Sequence, residues 1–342
     1  MIRRFIVPLL LSLAFILPLS GGEESATPTG ESASTPTPAP IPDPQSVFSG
    51  VTRIVAIGDV HGDLDAFRDV LELAGLLDAG GHWSGGKTHL VQTGDILDRG
   101  DDGRAIMDLL MRLQVEARKT QGAVHCLLGN HEVMNMLGDL RYVTEPDLAA
   151  YADLSPIPDP PEAPRGRLGH DIAFAETGRY GRWLRGLPAV IKVNDTLFVH
   201  GGLGPIVRGK TLDQINKWVR EPLFAGDPAA ALHAPGLGPT GPLWFRGYAL
   251  DKESQWLPKL RDILYAYKAR RMVMGHTTTD DGRIRLRFRG RAVFIDTGLS
   301  RGYGRHVAAL EIRGRTLYAI YPDRKEKLFP PRKAVKPIRA HR

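Results

Sequence analysis

The sequence predicts an α/β protein, and three observations carry that reading. Short apolar runs at 53–57, 88–93 and 123–128 read as strands, and each ends at a glycine followed by Asp or Asn. The first two are followed by apolar residues at spacings of three and four, which is the period of an amphipathic helix: Leu64, Phe67, Val70, Leu71 and Ala74, then Ile106, Leu109, Leu110 and Leu113. The second half turns to adjacent β segments at 189–199, 284–296 and 306–321. Between them, the Ile215, Trp218, Val219 stretch and residues 257–267 read as peripheral helices.

Composition sets the frame. With 342 residues, 42% hydrophobic and 24% charged, the chain can bury a core and is neither fibrous nor disordered. We read one catalytic domain, 47–323, between two tails. The single Cys126 excludes an internal disulfide and leaves the redox compartment open. The formal charge of +7 is local, because residues 324–342 hold eight Lys/Arg against one acid, Glu326. A basic, Pro-containing solvated tail is the plain reading, with contact to an anionic surface as its functional counterpart; no specific nucleic-acid partner is expected.

At the other end, Arg3-Arg4, an apolar run over 5–19 and Ser20-Gly21-Gly22 have the three regions of a secretory signal. The run is short for a membrane span of ~20 residues, although an uncleaved anchor over 1–20 is the alternative. Export to a periplasm or medium is therefore expected. Residues 21–46, with prolines at 28, 36, 38, 40, 42 and 44, form a spacer unable to bury enough apolar surface to offset chain entropy.

The three strand ends carry the chemistry. They read Gly58-Asp59-Val60-His61-Gly62, Gly94-Asp95-Ile96-Leu97-Asp98-Arg99-Gly100 and Gly129-Asn130-His131-Glu132. In open α/β sheets functional groups gather beyond the carboxyl ends of strands, so these loops should share one crevice. Taken singly, each has a dull explanation as a turn, a helix cap or a packed histidine. Their ordered recurrence in about eighty residues does not, and few structural needs would put two carboxylates and a guanidinium between glycines. His200 and His276 also follow apolar runs, 196–199 and 272–275, and bring enough donors for two metal ions.

GDVHG, GDILDRG, GNHE, HGG (200–202) and GH (275–276) together resemble the calcineurin-like metallophosphoesterases, over residues 52 to 321. GDILDRG and GNHE resemble the phosphoprotein phosphatases within that superfamily. The segments 129–143 (GNHEVMNMLGDLRYV), 241–248 (GPLWFRGY) and 275–277 (GHT) look most like the bacterial Shewanella-like branch. The resemblance implies a central β-sandwich of mixed sheets flanked by helices, in four αββα layers.

It also implies two metal ions, Mn, Fe or Zn, one held by Asp59, His61 and Asp95, the other by Asp95, Asn130, His200 and His276. A bridging hydroxide would attack phosphorus directly. Arg99, Arg246 and Arg141 would bind phosphate oxygens, His131 would protonate the leaving group, and Asp98 would orient His131. The expected function is a phosphomonoesterase acting on a phosphorylated protein or small phosphoester. Its rivals are a dinucleoside polyphosphate or nucleotide hydrolase on the same fold, and a non-catalytic exported binding module. Two departures stand out. The SAPNYC segment of the eukaryotic Ser/Thr enzymes is replaced by residues 295–303 (IDTGLSRGY), and residues 138–170 are an insertion, read as a surface loop or as a lid or wall over the site. Trp244 is read as packing beneath the Arg246 loop.

Overall fold

The computed structural model describes residues 41–154, 157 and 161–339; the signal-like segment 1–20 and most of the spacer lie outside the described residues. Within them no helix is long and apolar enough to cross a membrane. The strands are β1 (Val47–Phe48), β2 (Ile54–Ile57), β3 (His89–Gln92), β4 (Ala123–Cys126), β5 (Val190–Val193), β6 (Thr196–Val199), β7 (Arg271–Met274), β8 (Arg285–Arg287), β9 (Ala292–Phe294), β10 (Ala309–Arg313), β11 (Thr316–Tyr321) and β12 (Arg324–Leu328). The helices are α1 (Leu64–Leu73), α2 (Gly103–Lys119), α3 (Asn130–Met136), α4 (Glu145–Ala149), α5 (Arg165–Phe174), α6 (Arg179–Arg185), α7 (Leu212–Arg220), α8 (Pro228–Leu232), α9 (Gly247–Leu250) and α10 (Glu253–Ala266).

The strands form two mixed six-stranded sheets, ordered β1-β5-β6-β7-β9-β8 and β12-β11-β10-β2-β3-β4. In the second sheet β2, β3 and β4 are parallel, with Ile57 beside Gln92 and Gln92 beside Cys126, so the three following loops leave at one level. In the first, β6 and β7 are parallel with Val199 beside Met274, which does the same for His200 and His276.

Side-chain alternation on the strands builds the layers. Ile54 and Ala56 point between the sheets, where they meet Phe198, Val273 and Val293 of the facing sheet. Val55 and Ile57 point outward onto Phe67, Val70 and Leu110 of α1 and α2. On the far side Leu197, Val199 and Met272 pack under Ile215, Leu260 and Leu264 of α7 and α10. The result is the helix–sheet–sheet–helix order expected from the resemblance.

One boundary moves. Residues 324–328, counted with the solvated tail, are strand β12, paired antiparallel to β11 from Tyr321↔Arg324 to Leu317↔Leu328. Farther on, Ile338 is buried and donates its N–H to the Ala249 carbonyl at 2.9 Å. The alternation Arg-Lys-Glu-Lys hides the strand because a solvent-facing edge is kept charged against unwanted pairing.

Candidate metal centre

The loops after β2, β3, β4 and β7 meet in a cavity of about 190 Å³ lined by Asp59, His61, Asp95, Asn130, His131 and His276, with Arg99 and Arg246 in its wall, and His200, after β6, is buried against Asp95, Asn130 and His276. Backbone geometry explains the glycines. Gly94 has φ +95°, and a Cβ there would stand 2.5 Å from the Gly129 nitrogen; one on Gly129 would strike the Asp95 carboxylate. Only without side chains can the second and third loops touch. The first loop is tied to the second by the N–H groups of Val60 and His61, which donate to the Asp95 carbonyl at 2.9 and 3.0 Å.

Five site residues occupy the left-handed region: His61 (φ 47°), Asp95 (54°), Asp98 (68°), Arg99 (72°) and His276 (64°). Such conformations cost about 1–3 kcal/mol each and persist where surrounding structure imposes them. Glu132 is one such restraint. Its buried carboxylate accepts from the N–H groups of Asp95 and Ile96 at 2.8 Å, of Leu97 at 3.3 Å and of Gly129 at 2.7 Å. Burial and the charge of Asp95 push Glu132 up to about 7, against the pull of those donors.

The donor atoms fit metal ions. His200 Nδ1 donates to the Thr93 carbonyl at 2.9 Å and His61 Nδ1 to the Leu97 carbonyl at 3.1 Å, which leaves each Nε2 lone pair unprotonated and available to a metal ion. His200 Nε2 lies 3.2 Å from Asp95 Oδ2, 3.1 Å from Asn130 Oδ1 and 3.1 Å from His276 Nδ1. Adjacent ligand atoms on an ion with ~2.1 Å bonds stand about 3 Å apart. Asp95 Oδ2 is also 3.9 Å from His61 Nε2 and 3.8 Å from His131 Nε2. Two potential metal groups thus share Asp95: His61, Asp95, His131 and Asp95, His200, His276. Asp59 is in the lining, with both oxygens 3.0 Å from the His276 N–H, so it braces one donor as well as standing beside the others.

The charges are crowded. Burial, with Asp296 and Asp95 nearby, raises Asp59 well above the usual carboxylate range. Burial opposes ionisation of Asp95, but His200, His131 and His61 outweigh it and hold Asp95 well below that range. Burial lowers His61 to about 4 and, with His200, drives His276 well down, so both imidazoles are neutral donors.

His131 differs. Its Nδ1 is 2.5 Å from Asp98 Oδ2, while Asn135 Nδ2 donates to Asp98 Oδ1 at 2.8 Å and Asn135 Oδ1 lies 3.0 Å from His170 Nε2 on α5. Burial lowers the affinity of His131 for a proton, but Asp95 and Asp98 reverse this and raise its pKa above the ordinary value.

Arg99 stacks over Tyr142, 4.1 Å from the ring centroid, and its N–H donates to the Tyr142 carbonyl at 2.9 Å. Tyr142 belongs to the 138–170 insertion and lines the cavity, so the insertion forms part of the wall. Arg246 is in the cavity with Nε 3.0 Å from His276 Nε2. Arg141 is not: it is exposed and bound to Asp139 at 2.6 Å, since a carboxylate two residues away captures it. Trp244 lines the site edge-on to His276, beyond the packing role read from sequence.

Sequence reasoning missed Glu132, Tyr142, Asn135, His170, Asp296 and Tyr303. Asp296 accepts from Thr278 Oγ1 at 2.6 Å in the cavity lining, and Tyr303 stacks on His61 at 5.3 Å. Their one signal was position: Glu132 within GNHE and Asn135 just after it, Asp296 and Tyr303 within 295–303.

Comparison with known proteins places this geometry. The Calcineurin-like phosphoesterase model matches residues 52–280. Shewanella-like protein phosphatase 2 of Arabidopsis thaliana is 32% identical over 323 residues, covering 83% of this chain and 82% of that protein. An uncharacterized protein of Schizosaccharomyces pombe is 34% identical over 268 residues, 76% of this chain and 77% of its own length. Among solved structures, the cold-active protein-tyrosine phosphatase of a psychrophilic Shewanella species superposes with a TM-score of 0.71 at 29% identity, covering 84% of this chain and 83% of that one. From the five converging loops and these matches, the chain belongs to the calcineurin-like phosphoesterase family, as a metallophosphoesterase similar to the Shewanella-like protein phosphatases.

Proposed function

We propose that the protein is a dinuclear-metal phosphomonoesterase that removes phosphate from phosphorylated proteins. The observation that carries this reading is the His131–Asp98 pair, whose free Nε2 faces the same small cavity as Asp95 and Arg99. A cavity of about 190 Å³ is below the ~300–1,000 Å³ of pockets that enclose a whole small ligand. It suits a phosphoryl group whose parent molecule stays outside. Bound ions, Mn, Fe or Zn by the N/O donor set, would supply an acidified water and neutralise phosphate charge.

The chain's own groups do the rest. Arg99, braced by Tyr142, presents a planar fork to two non-bridging oxygens, and Arg246, in the same cavity lining, offers a second guanidinium. Protonated at Nε2, His131 gives its proton to the leaving oxygen, and Asp98 stabilises the imidazolium and fixes the ring. The names of the Arabidopsis and Shewanella relatives support a protein substrate.

His131→Asn tests the acid. Turnover of phenyl phosphate, a poor leaving group, should fall ~10²-fold or more, with a much smaller loss on nitrophenyl phosphate. Equal losses would remove His131 from that role. A panel of phosphotyrosine, phosphoserine and phosphothreonine peptides beside diadenosine tetraphosphate tests the substrate class, and activity confined to the last would overturn it.

A further inference from the structure

A second concavity lies at the other end of β7. A groove of about 1240 Å³ opens where Arg271 begins that strand, whereas His276 follows its far end. Five residues of extended chain, ~16 Å at ~3.3 Å each, separate the two. Eight Arg and Lys side chains line this groove against two carboxylates, Asp195 and Asp262. Both acids are already engaged, Asp195 with Arg270 at 3.0 Å and Asp262 with Arg208 at 3.1 Å. By contrast Arg261, Lys268, Arg289 and Arg315 are exposed and have no side-chain partner among the described residues.

The floor carries an unanswered charge. Arg271 is only 4% exposed, its Nη2 donates to the Arg315 carbonyl at 3.1 Å, and its Nε and Nη1 have no partner. A buried guanidinium beneath a wall of further cations is stabilised by any anion that enters. The groove is also partly greasy: Leu257, Leu317 and Leu328 contribute to it, and Tyr265 and Phe329 stand 87% and 72% exposed at its edge.

We propose that this groove docks an acidic peptide segment of a partner protein, with an apolar residue of that segment seated against Leu317 and Phe329. Its volume exceeds the ~300–1,000 Å³ typical of small-ligand pockets, which leaves room for several residues. Arg clusters recognise acidic motifs, and exposed aromatic and Arg side chains are the types that anchor protein interfaces. A flat bilayer would not reach the floor, and a nucleic-acid backbone would leave the leucines and Phe329 uncovered.

The test uses the full-length protein and a fluorescein-labelled glutamate-rich peptide with central leucines, followed by anisotropy. Wild type should bind with Kd on the order of 10 µM at low salt and more weakly as salt screens the charges. The double variant Arg289→Glu/Arg315→Glu should bind ~10-fold or more weakly, because like charges oppose the peptide. Lys268→Glu/Lys327→Glu should repeat that loss at two other lining cations, guarding against a folding defect in the first pair. Nitrophenyl phosphate hydrolysis should be unchanged in both variants and uninhibited by saturating peptide. No binding up to about 1 mM, wild-type affinity in both variants, or competitive inhibition of hydrolysis would overturn the proposal. So would variant-sensitive binding of phosphatidylserine vesicles or single-stranded DNA without peptide binding.

Discussion

Asp98 accepts on both oxygens, from His131 and from Asn135, and has no exposure through which water could replace either. Asp98→Asn would exchange one acceptor oxygen for a donor and remove the charge that favours the imidazolium. Phenyl phosphate turnover should drop ~10²-fold with KM little changed, as expected for an interaction that matters in the transition state. Steady-state kinetics on the two phenolic substrates measures this. The candidate metal donors were legible because each abuts a glycine at the end of an apolar run, and Asp98 because it shares the segment 94–100 with Asp95. Glu132 was not, since its targets are backbone N–H groups of the Asp95 turn, 35–37 residues away. Tyr142 and Tyr303 were hidden because aromatic residues have packing as their ordinary explanation. Arg141 misled for the opposite reason: a guanidinium near the motifs was free in the sequence, but Asp139 claims it.

Strands and helices recorded in apolar periodicity were readable, including α1, α2 and the segments that became β5, β6, β10 and β11. The charged β12 was not, although it covers the open side of β11. Its Lys325 forms an ion pair with Glu311 of β10, which also accepts from Arg53 Nε at 2.6 Å. Burial raises the Glu311 pKa, but Lys325, Arg53 and Arg313 prevail and hold it down to about 2. A carboxyl depressed in the folded state stabilises above its unfolded pKa, ~4.5, and loses that contribution as pH falls toward 2. Glu311→Gln should therefore lower the unfolding temperature at pH 7 and flatten its decline between about pH 4.5 and 2. Thermal scans across that range would measure it. Ile338→Ala should cost about 2 kcal/mol in urea unfolding, the low end for a buried Ile. A solvated tail would make that substitution silent.

At the scale of the whole molecule, the candidate metal donors come from both halves of the sandwich. Asp59, His61, Asp95 and Asn130 follow β2, β3 and β4 of one sheet, whereas His200 and His276 follow β6 and β7 of the other. An ion held by Asp95 of one sheet and His200 and His276 of the other would join two layers that also meet through the apolar contacts of Ile54, Ala56, Phe198 and Val273. Loading should raise the unfolding free energy by about 4 kcal/mol per ion at a thousandfold excess over Kd, and a chelator should reverse it in denaturant titrations. Because the group Asp95, His200 and His276 is divided between the sheets, whereas His61, Asp95 and His131 follow strands of one, a chain with only one sheet formed could retain at most one of the two ions. Metal content per chain would thus count correctly assembled molecules, and a preparation's stoichiometry would serve as a certificate of its folding before any substrate is added.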